Sequence, residues 1–212
     1  VQFLFDDRVI YTTTFYDNRL YTSLVTSYNP PEKQLGWLDV KYPFPNRTLF
    51  CFDAHNGKIV WSSQHLTKIS LNLAPAIEGD ALYIGGTRID KQTDLPEYYV
   101  YCLDAATGAV RWSTFVASGL LETNLFNNPS RQPVNSAVTL VGDTVYFCAN
   151  IGVVAALNRY DGSIRWLSRY RQFEIPPVRN GYEPYSLPLQ WTNSPVIVSG
   201  NQVLVTPVDS PY

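Results

Sequence analysis

The chain has no methionine, only three cysteines and two histidines among its 212 residues, and Asp, Glu, Lys and Arg together make up just 16% of it. Each scarcity excludes something. Cys51, Cys102 and Cys148 form no CxxC pair, and an odd number cannot be fully bridged within the chain. A free Cys behaves as a small core hydrophobe, so three buried thiols are expected. His55 and His65 lack Cys or carboxylate neighbours at zinc-ligand spacing. There is no GxSxG nucleophile elbow and no glycine-rich phosphate loop. A formal net charge of -2 without a Lys/Arg cluster offers little to a nucleic acid or an anionic membrane. The stretch "RYRQF", Arg169 to Phe173, interleaves cations with aromatics but is too short to form a single-strand groove. Apolar runs of a few residues fall far short of the roughly 20 that a spanning helix needs. With Val1 first, neither an initiator nor a secretory h-region is visible, so the natural start is expected to lie elsewhere or to have been processed away.

What is abundant is repetition. "LFCFDAHNGKIVWS" at 49–62, "VYCLDAATGAVRWS" at 100–113 and "VAALNRYDGSIRWL" at 154–167 align, with a Trp four residues after each glycine. A second motif precedes each copy: "TTTFYDNRLYTSL" at 12–24, "LAPAIEGDALYIGG" at 73–86 and "NSAVTLVGDTVYFCAN" at 135–150. "NSPVIVSGNQVLVTP" at 193–207 begins a fourth unit. Asn18, Asp80, Asp143 and Asn201 recur at spacings of 62, 63 and 58 residues.

Each unit reads as four short strands, rich in β-branched and aromatic residues and bounded by Gly, Asp and Asn. The glycine after Asn56, Thr107 or Asp161 suits a hairpin loop that ends in a left-handed residue. A β-sandwich has no reason to repeat one motif at constant spacing, whereas a β-propeller does. The predicted fold is therefore all-β, a propeller of four-stranded antiparallel blades present as an incomplete arc of about three and a half blades. Residues 1–8 read as the tail of a preceding blade, 9–67, 68–118 and 132–170 as three blades, and 192–212 as the first strands of the next. Gly85-Gly86 reads as a turn that ends a strand.

The "LDAATGAVRW" pattern resembles the repeat of quinoprotein-type propellers, found in pyrroloquinoline-quinone (PQQ) alcohol dehydrogenases and their cofactor-free relatives. The resemblance implies that these residues dock neighbouring blades: Asp53, Gly57 and Trp61; Asp104, Thr107, Gly108 and Trp112; Asn158, Gly162 and Trp166. The third copy departs from the pattern, with Asn158 for Asp and Asp161 for Thr. Physical chemistry supplies a reason of its own. A blade must cover two apolar faces, and an indole buries about 150–250 Å². At roughly 25 cal/mol per Å², each docked Trp contributes about 4–6 kcal/mol as an upper bound.

Propellers close with about 4–8 blades, so an arc leaves an apolar face and strand edges open. We expect the remaining blades of the same polypeptide, or another chain, to close the ring. The tight turns fall on one face of the arc. Every long insertion falls on the other, at roughly 26–48, 87–98, 114–134 and 168–191. Connections longer than about 12–15 residues are usually functional or disordered, and Tyr, Trp and Arg are the usual interface anchors. Trp37, Tyr42, Tyr98, Tyr99, Phe126, Tyr170, Arg171, Tyr182 and Tyr185 are the candidate residues for a protein partner. The alternative is that these loops pack back on their own propeller.

PQQ dehydrogenases of the family hold the quinone against a disulfide of adjacent cysteines, beside a calcium ion. No Cys-Cys dipeptide occurs here, and no catalytic, cofactor or metal residue can be placed. Two readings follow. One is a non-enzymatic PQQ-like scaffold or recognition module, with no cofactor in this segment, as in the family's envelope assembly factors. The other is a piece of a PQQ- and calcium-dependent dehydrogenase. The resemblance implies a periplasmic or otherwise extracytoplasmic location.

Overall fold

A computed structural model describes residues 13–29, 44–90, 92–93, 95–119, 134–172, 194–207 and 210. The expected tail at 1–8 lies outside them. So do Trp37, Tyr42, Phe126, Tyr182 and Tyr185, together with most of the first, third and fourth insertions.

The described residues form strands only, in sequential antiparallel sheets. The first blade comprises β1 (Thr13–Tyr16), β2 (Arg19–Asn29), β3 (Phe44–Asp53) and β4 (Ile59–Ser62), hydrogen-bonded in that order. The second comprises β5 (Ser70–Glu78), β6 (Ala81–Ile89), β7 (Pro96–Asp104) and β8 (Val110–Ser118). The third comprises β9 (Thr139–Val141), β10 (Thr144–Ala149), β11 (Val153–Asn158) and β12 (Ile164–Arg169). A fourth sheet contains β13 (Ile197–Ser199) and β14 (Gln202–Leu204). This is an all-β, partial propeller. No helix among the described residues is long and apolar enough to cross a membrane.

Turn chemistry explains the compact hairpins. Asp17 and Asn18 both adopt positive φ, 47° and 56°, as a two-residue type I′ connection between twisted strands requires. In the β7–β8 turn, Asp104 Oδ1 accepts hydrogen bonds from the backbone N–H groups of Ala106 at 3.0 Å and Thr107 at 2.9 Å, and from Thr107 Oγ1 at 2.9 Å. The Gly108 N–H then bonds the Asp104 carbonyl at 2.8 Å.

Strand alternation divides the second and third blades between two neighbours each. Leu82, Ile84, Tyr101 and Leu103 face the first blade, in a core with Tyr21, Leu49, Cys51, Trp61 and Leu71. Their sequence neighbours Ala81, Tyr83, Tyr98, Val100 and Cys102 face the third, in a core with Val145, Phe147, Ala155 and Leu157. A smaller core joins Cys148 and Val154 of the third blade to Val196, with Val198, Val203 and Val205 packed against it.

Two expectations need correction. The insertion placed at 87–98 is mostly strand: β6 and β7 stay paired through Thr87 with Tyr98, Arg88 with Glu97 and Ile89 with Pro96, which leaves only residues 90–95 between them. Gly85 and Gly86 lie inside β6, paired with Val100 and Tyr99, and form no turn. Their lack of a side chain serves close packing instead. A Cβ on Gly85 would stand 2.8 Å from a Phe147 ring carbon, and one on Gly86 would stand 3.0 Å from Tyr101.

Candidate functional site: the blade seams and the long-loop face

Of the motif residues, Trp61 meets Gly108 and Trp112 meets Gly162 across the seams between blades. Trp61, on the last strand of the first blade, donates its indole N–H to the Ala105 carbonyl of the second at 3.0 Å. Its ring lies on Gly108, where a Cβ would come within 2.6 Å of the indole. Trp112 repeats the arrangement one blade on, donating to the Arg159 carbonyl at 3.1 Å and lying on Gly162. In both seams the acceptor is one residue past the turn-opening Asp104 or Asn158, and the glycine stands four past it. Thr114 adds a bond to the Gly162 carbonyl at 2.6 Å.

The third copy builds its turn differently. Asn158 Oδ1 accepts from the Tyr160 N–H at 3.0 Å, and Asp161 Oδ1 takes the Ser163 N–H at 2.9 Å and its hydroxyl at 2.7 Å. In the first copy, Asp53 Oδ1 accepts from His55 and Asn56, and Gly57 has no described atom within 4 Å of a Cβ position. Trp166 packs beside Tyr146 and is 38% exposed.

Sequence reasoning missed a second donor at each filled seam. Tyr21 Oη donates to the Ala105 carbonyl at 3.1 Å, and Tyr83 Oη donates to that of Arg159 at 3.2 Å, so each acceptor is shared by a Tyr and a Trp. The signal was available, because Tyr21, Tyr83 and Tyr146 stand three residues after Asn18, Asp80 and Asp143. Burial pushes the Tyr21 hydroxyl up to about 12, with the neighbouring Cys51 adding to it. Burial also raises Tyr83 and Cys51, and takes Cys102 to about 11. All three cysteines are buried and none is in a disulfide.

The seams also differ. Across the first, Thr14 Oγ1 donates to the Pro75 carbonyl at 2.7 Å, Ser23 Oγ donates to that of Leu71, and Arg19 reaches the Ala106 carbonyl at 3.2 Å. Across the second, Asn72 donates to Asn135 Oδ1 at 2.9 Å and Tyr98 to Asn150 Oδ1 at 2.6 Å, and Arg159 pairs with Glu78 at 2.7 Å.

On the long-loop face, the described candidates have different surroundings. Tyr98 is fully buried in the seam between the second and third blades and presents nothing to a partner. Tyr99 is half-buried in a cluster with Tyr101, Phe115 at 5.5 Å and the Arg88 guanidinium at 5.0 Å, and its hydroxyl donates to Glu97 at 2.9 Å. Tyr170 is half-buried and donates to the Ala149 carbonyl at 2.9 Å, while Arg171 is exposed. Among the described residues, no group of three or more His, Cys, Asp or Glu is arranged to hold a metal ion. The three cysteines sit in three different blades, so they do not fit a PQQ site that uses a disulfide of adjacent cysteines.

Comparison with known proteins follows this architecture. The profile of the family described as outer membrane protein assembly factor BamB (PQQ_2) matches residues 45–206. The dehydrogenase XoxF of Paracoccus denitrificans is 35% identical over 135 residues, covering 60% of this chain and 21% of that protein. The quinohemoprotein alcohol dehydrogenase of Comamonas testosteroni is similar in structure at 15% identity and a TM-score of 0.47, over 74% of this chain and 20% of that one. BamB from Moraxella catarrhalis gives 17% identity and a TM-score of 0.28, over 59% and 47%. The chain thus spans about a fifth of the length of the two dehydrogenases. The chain belongs to the PQQ-like propeller family described as outer membrane protein assembly factor BamB.

Proposed function

We propose that the chain is part of a non-enzymatic PQQ-like propeller that serves as a protein-interaction scaffold or recognition module outside the cytoplasm, in the periplasm or cell envelope. The remaining blades of the same polypeptide, or another chain, complete the ring, and a protein partner binds the long-loop face. The observation that carries this reading is how the recurring residues are used. Asp53, Asp104, Thr107 and Asn158 cap turns, Trp61, Trp112, Tyr21, Tyr83, Gly108 and Gly162 make seam contacts, and burial raises the Cys51 and Cys102 thiols. The description of the matched family supports it, and cofactor-free members of the wider class are extracytoplasmic by resemblance. No cofactor belongs to this segment on this reading. Tyr99, Tyr170 and Arg171 are the described residues of the partner face.

The 35% identity to a dehydrogenase favours a second reading, in which the chain is part of a PQQ- and calcium-dependent oxidoreductase. Titration of the protein with PQQ and calcium separates the two. The scaffold reading expects no bound quinone absorbance. A quinone spectrum that appears only with calcium would replace it by the dehydrogenase reading.

A further inference from the structure

The outermost strand of the third blade lies open to solvent. All six residues of β12 are exposed, with Leu167 at 49%, and β12 pairs on one side only, with β11, among the described residues. Its register places Leu167 opposite Ala155 and Arg169 opposite Val153. Alternation then sets Leu167, Arg169 and Arg171 on one face and Trp166, Ser168 and Tyr170 on the other.

The same alternation decides where the backbone points. The Tyr170 N–H bonds the Gly152 carbonyl at 2.9 Å, so Tyr170, Ser168 and Trp166 turn their N–H and C=O groups toward β11. In an antiparallel ladder the residues between them turn theirs away. Leu167, Arg169 and Arg171 therefore present side chain and backbone together at the open edge. The end of that edge is held in place: the Tyr170 hydroxyl bonds the Ala149 carbonyl at 2.9 Å, and Gln172 Nε2 bonds that of Asn150 at 3.3 Å.

The charges there are uncommitted. Arg111 pairs with Asp80 and Asp104, and Arg165 pairs with Asp143. Arg169 and Arg171 are exposed and form no ion pair with a described residue. Edge cations commonly turn other strands away, but an exposed leucine beside them invites one, so this edge selects by sign. A second copy's β12 would bring its own Arg165, Arg169 and Arg171 against these two, and like charges across a ladder destabilise it.

We propose that the edge of β12 from Leu167 to Arg171 is a docking site for an extended acidic segment of a partner protein, which adds to the third blade as a fifth, antiparallel strand. Its pattern is carboxylate-x-carboxylate-x-apolar, facing Arg171, Arg169 and Leu167 in that order. Backbone hydrogen bonds supply the affinity and the alternate side chains the selection. This rests on the reading of a protein partner on the long-loop face and names that partner's chemistry.

The test titrates a dye-labelled, capped peptide, Thr-Glu-Thr-Glu-Thr-Val-Thr, with the full chain and follows its anisotropy. N-methylation of the second glutamate and the valine, whose N–H groups face β12, is expected to abolish binding. N-methylation of the two threonines that flank the second glutamate, whose N–H groups face away, is expected to retain it. Replacing both exposed cations, Arg169→Glu with Arg171→Glu, is expected to weaken binding about tenfold or more and to create binding of the counterpart with lysine for both glutamates. Absent binding, binding indifferent to which amides are methylated, or equal binding of phosphatidylglycerol vesicles overturns the site. The titration with PQQ and calcium reads the scaffold assignment separately: with no quinone bound, a failed peptide removes the edge site alone.

Discussion

Trp61 and Trp166 occupy equivalent positions in their blades, yet one is 9% exposed and the other 38%. The indoles are alike, and so are their tyrosine neighbours. What differs is the turn on the far side, which is Ala105 to Gly108 for the first and no described turn for the second. Burial of the motif tryptophan is therefore a property of the seam rather than of the strand that carries it. Gly57 shows the same from the other side, as a turn of the right form with no described indole upon it.

Substitutions that strike filled and open positions alike can break this comparison. Trp112→Ala is expected to cost about 3–5 kcal/mol, the range for removing a large buried aromatic, against less than about 1 kcal/mol for Trp166→Ala. Urea unfolding of the two variants measures both, and equal losses would contradict the distinction. Gly108→Ala and Gly57→Ala share the cost of a left-handed alanine, about 1–2 kcal/mol. Only at Gly108 does the new Cβ meet an indole, so its loss is expected to reach about 3 kcal/mol once overpacking is added. Removing one hydroxyl tests the second donor. Tyr83→Phe is expected to cost about 1 kcal/mol and Tyr146→Phe nothing measurable in the same assay.

The smallest effect concerns the turns themselves. Hydrogen bonds from Arg111 hold Asp80 and Asp104 below the usual carboxylate range, Arg165 does the same for Asp143, and turn N–H and hydroxyl donors lower Asp53 and Asp161. A depressed folded value means that the contribution is fully present above the unfolded value near 3.8 and is lost as pH falls through the folded one. The urea midpoint is expected to stay flat from neutral pH to about 5 and to fall below about 4. A midpoint that rises on acidification would show that these carboxylates do not steady the turns.

The repeat period and the fold class were legible in the sequence because Gly and Trp recur at fixed offsets and each unit is built of short β-branched and aromatic runs bounded by Gly, Asp and Asn. The limits of β6 and β7 were not. Their outer ends are held by ladder pairing and by the Arg88–Glu97 ion pair rather than by an apolar pattern, and polar residues beside a Gly pair read as a loop. Tyr98 and Tyr99 illustrate the consequence. Once both lie in a strand, alternation sends one into the second seam and leaves the other half-exposed. Gly85 was misread for a related reason: its neighbour is Phe147, which lies 62 residues away in sequence. Nor does alignment of the copies reveal that the Trp61 and Trp112 indoles cover the turn of the following blade, or that Tyr21 and Tyr83 share their acceptors.

The three motif indole protons offer the most direct test. Hydrogen exchange followed by nuclear magnetic resonance reads each N–H separately. The seam account predicts that those of Trp61 and Trp112, bonded to Ala105 and Arg159, exchange about a hundredfold or more slowly than that of Trp166. Comparable exchange at all three would contradict it.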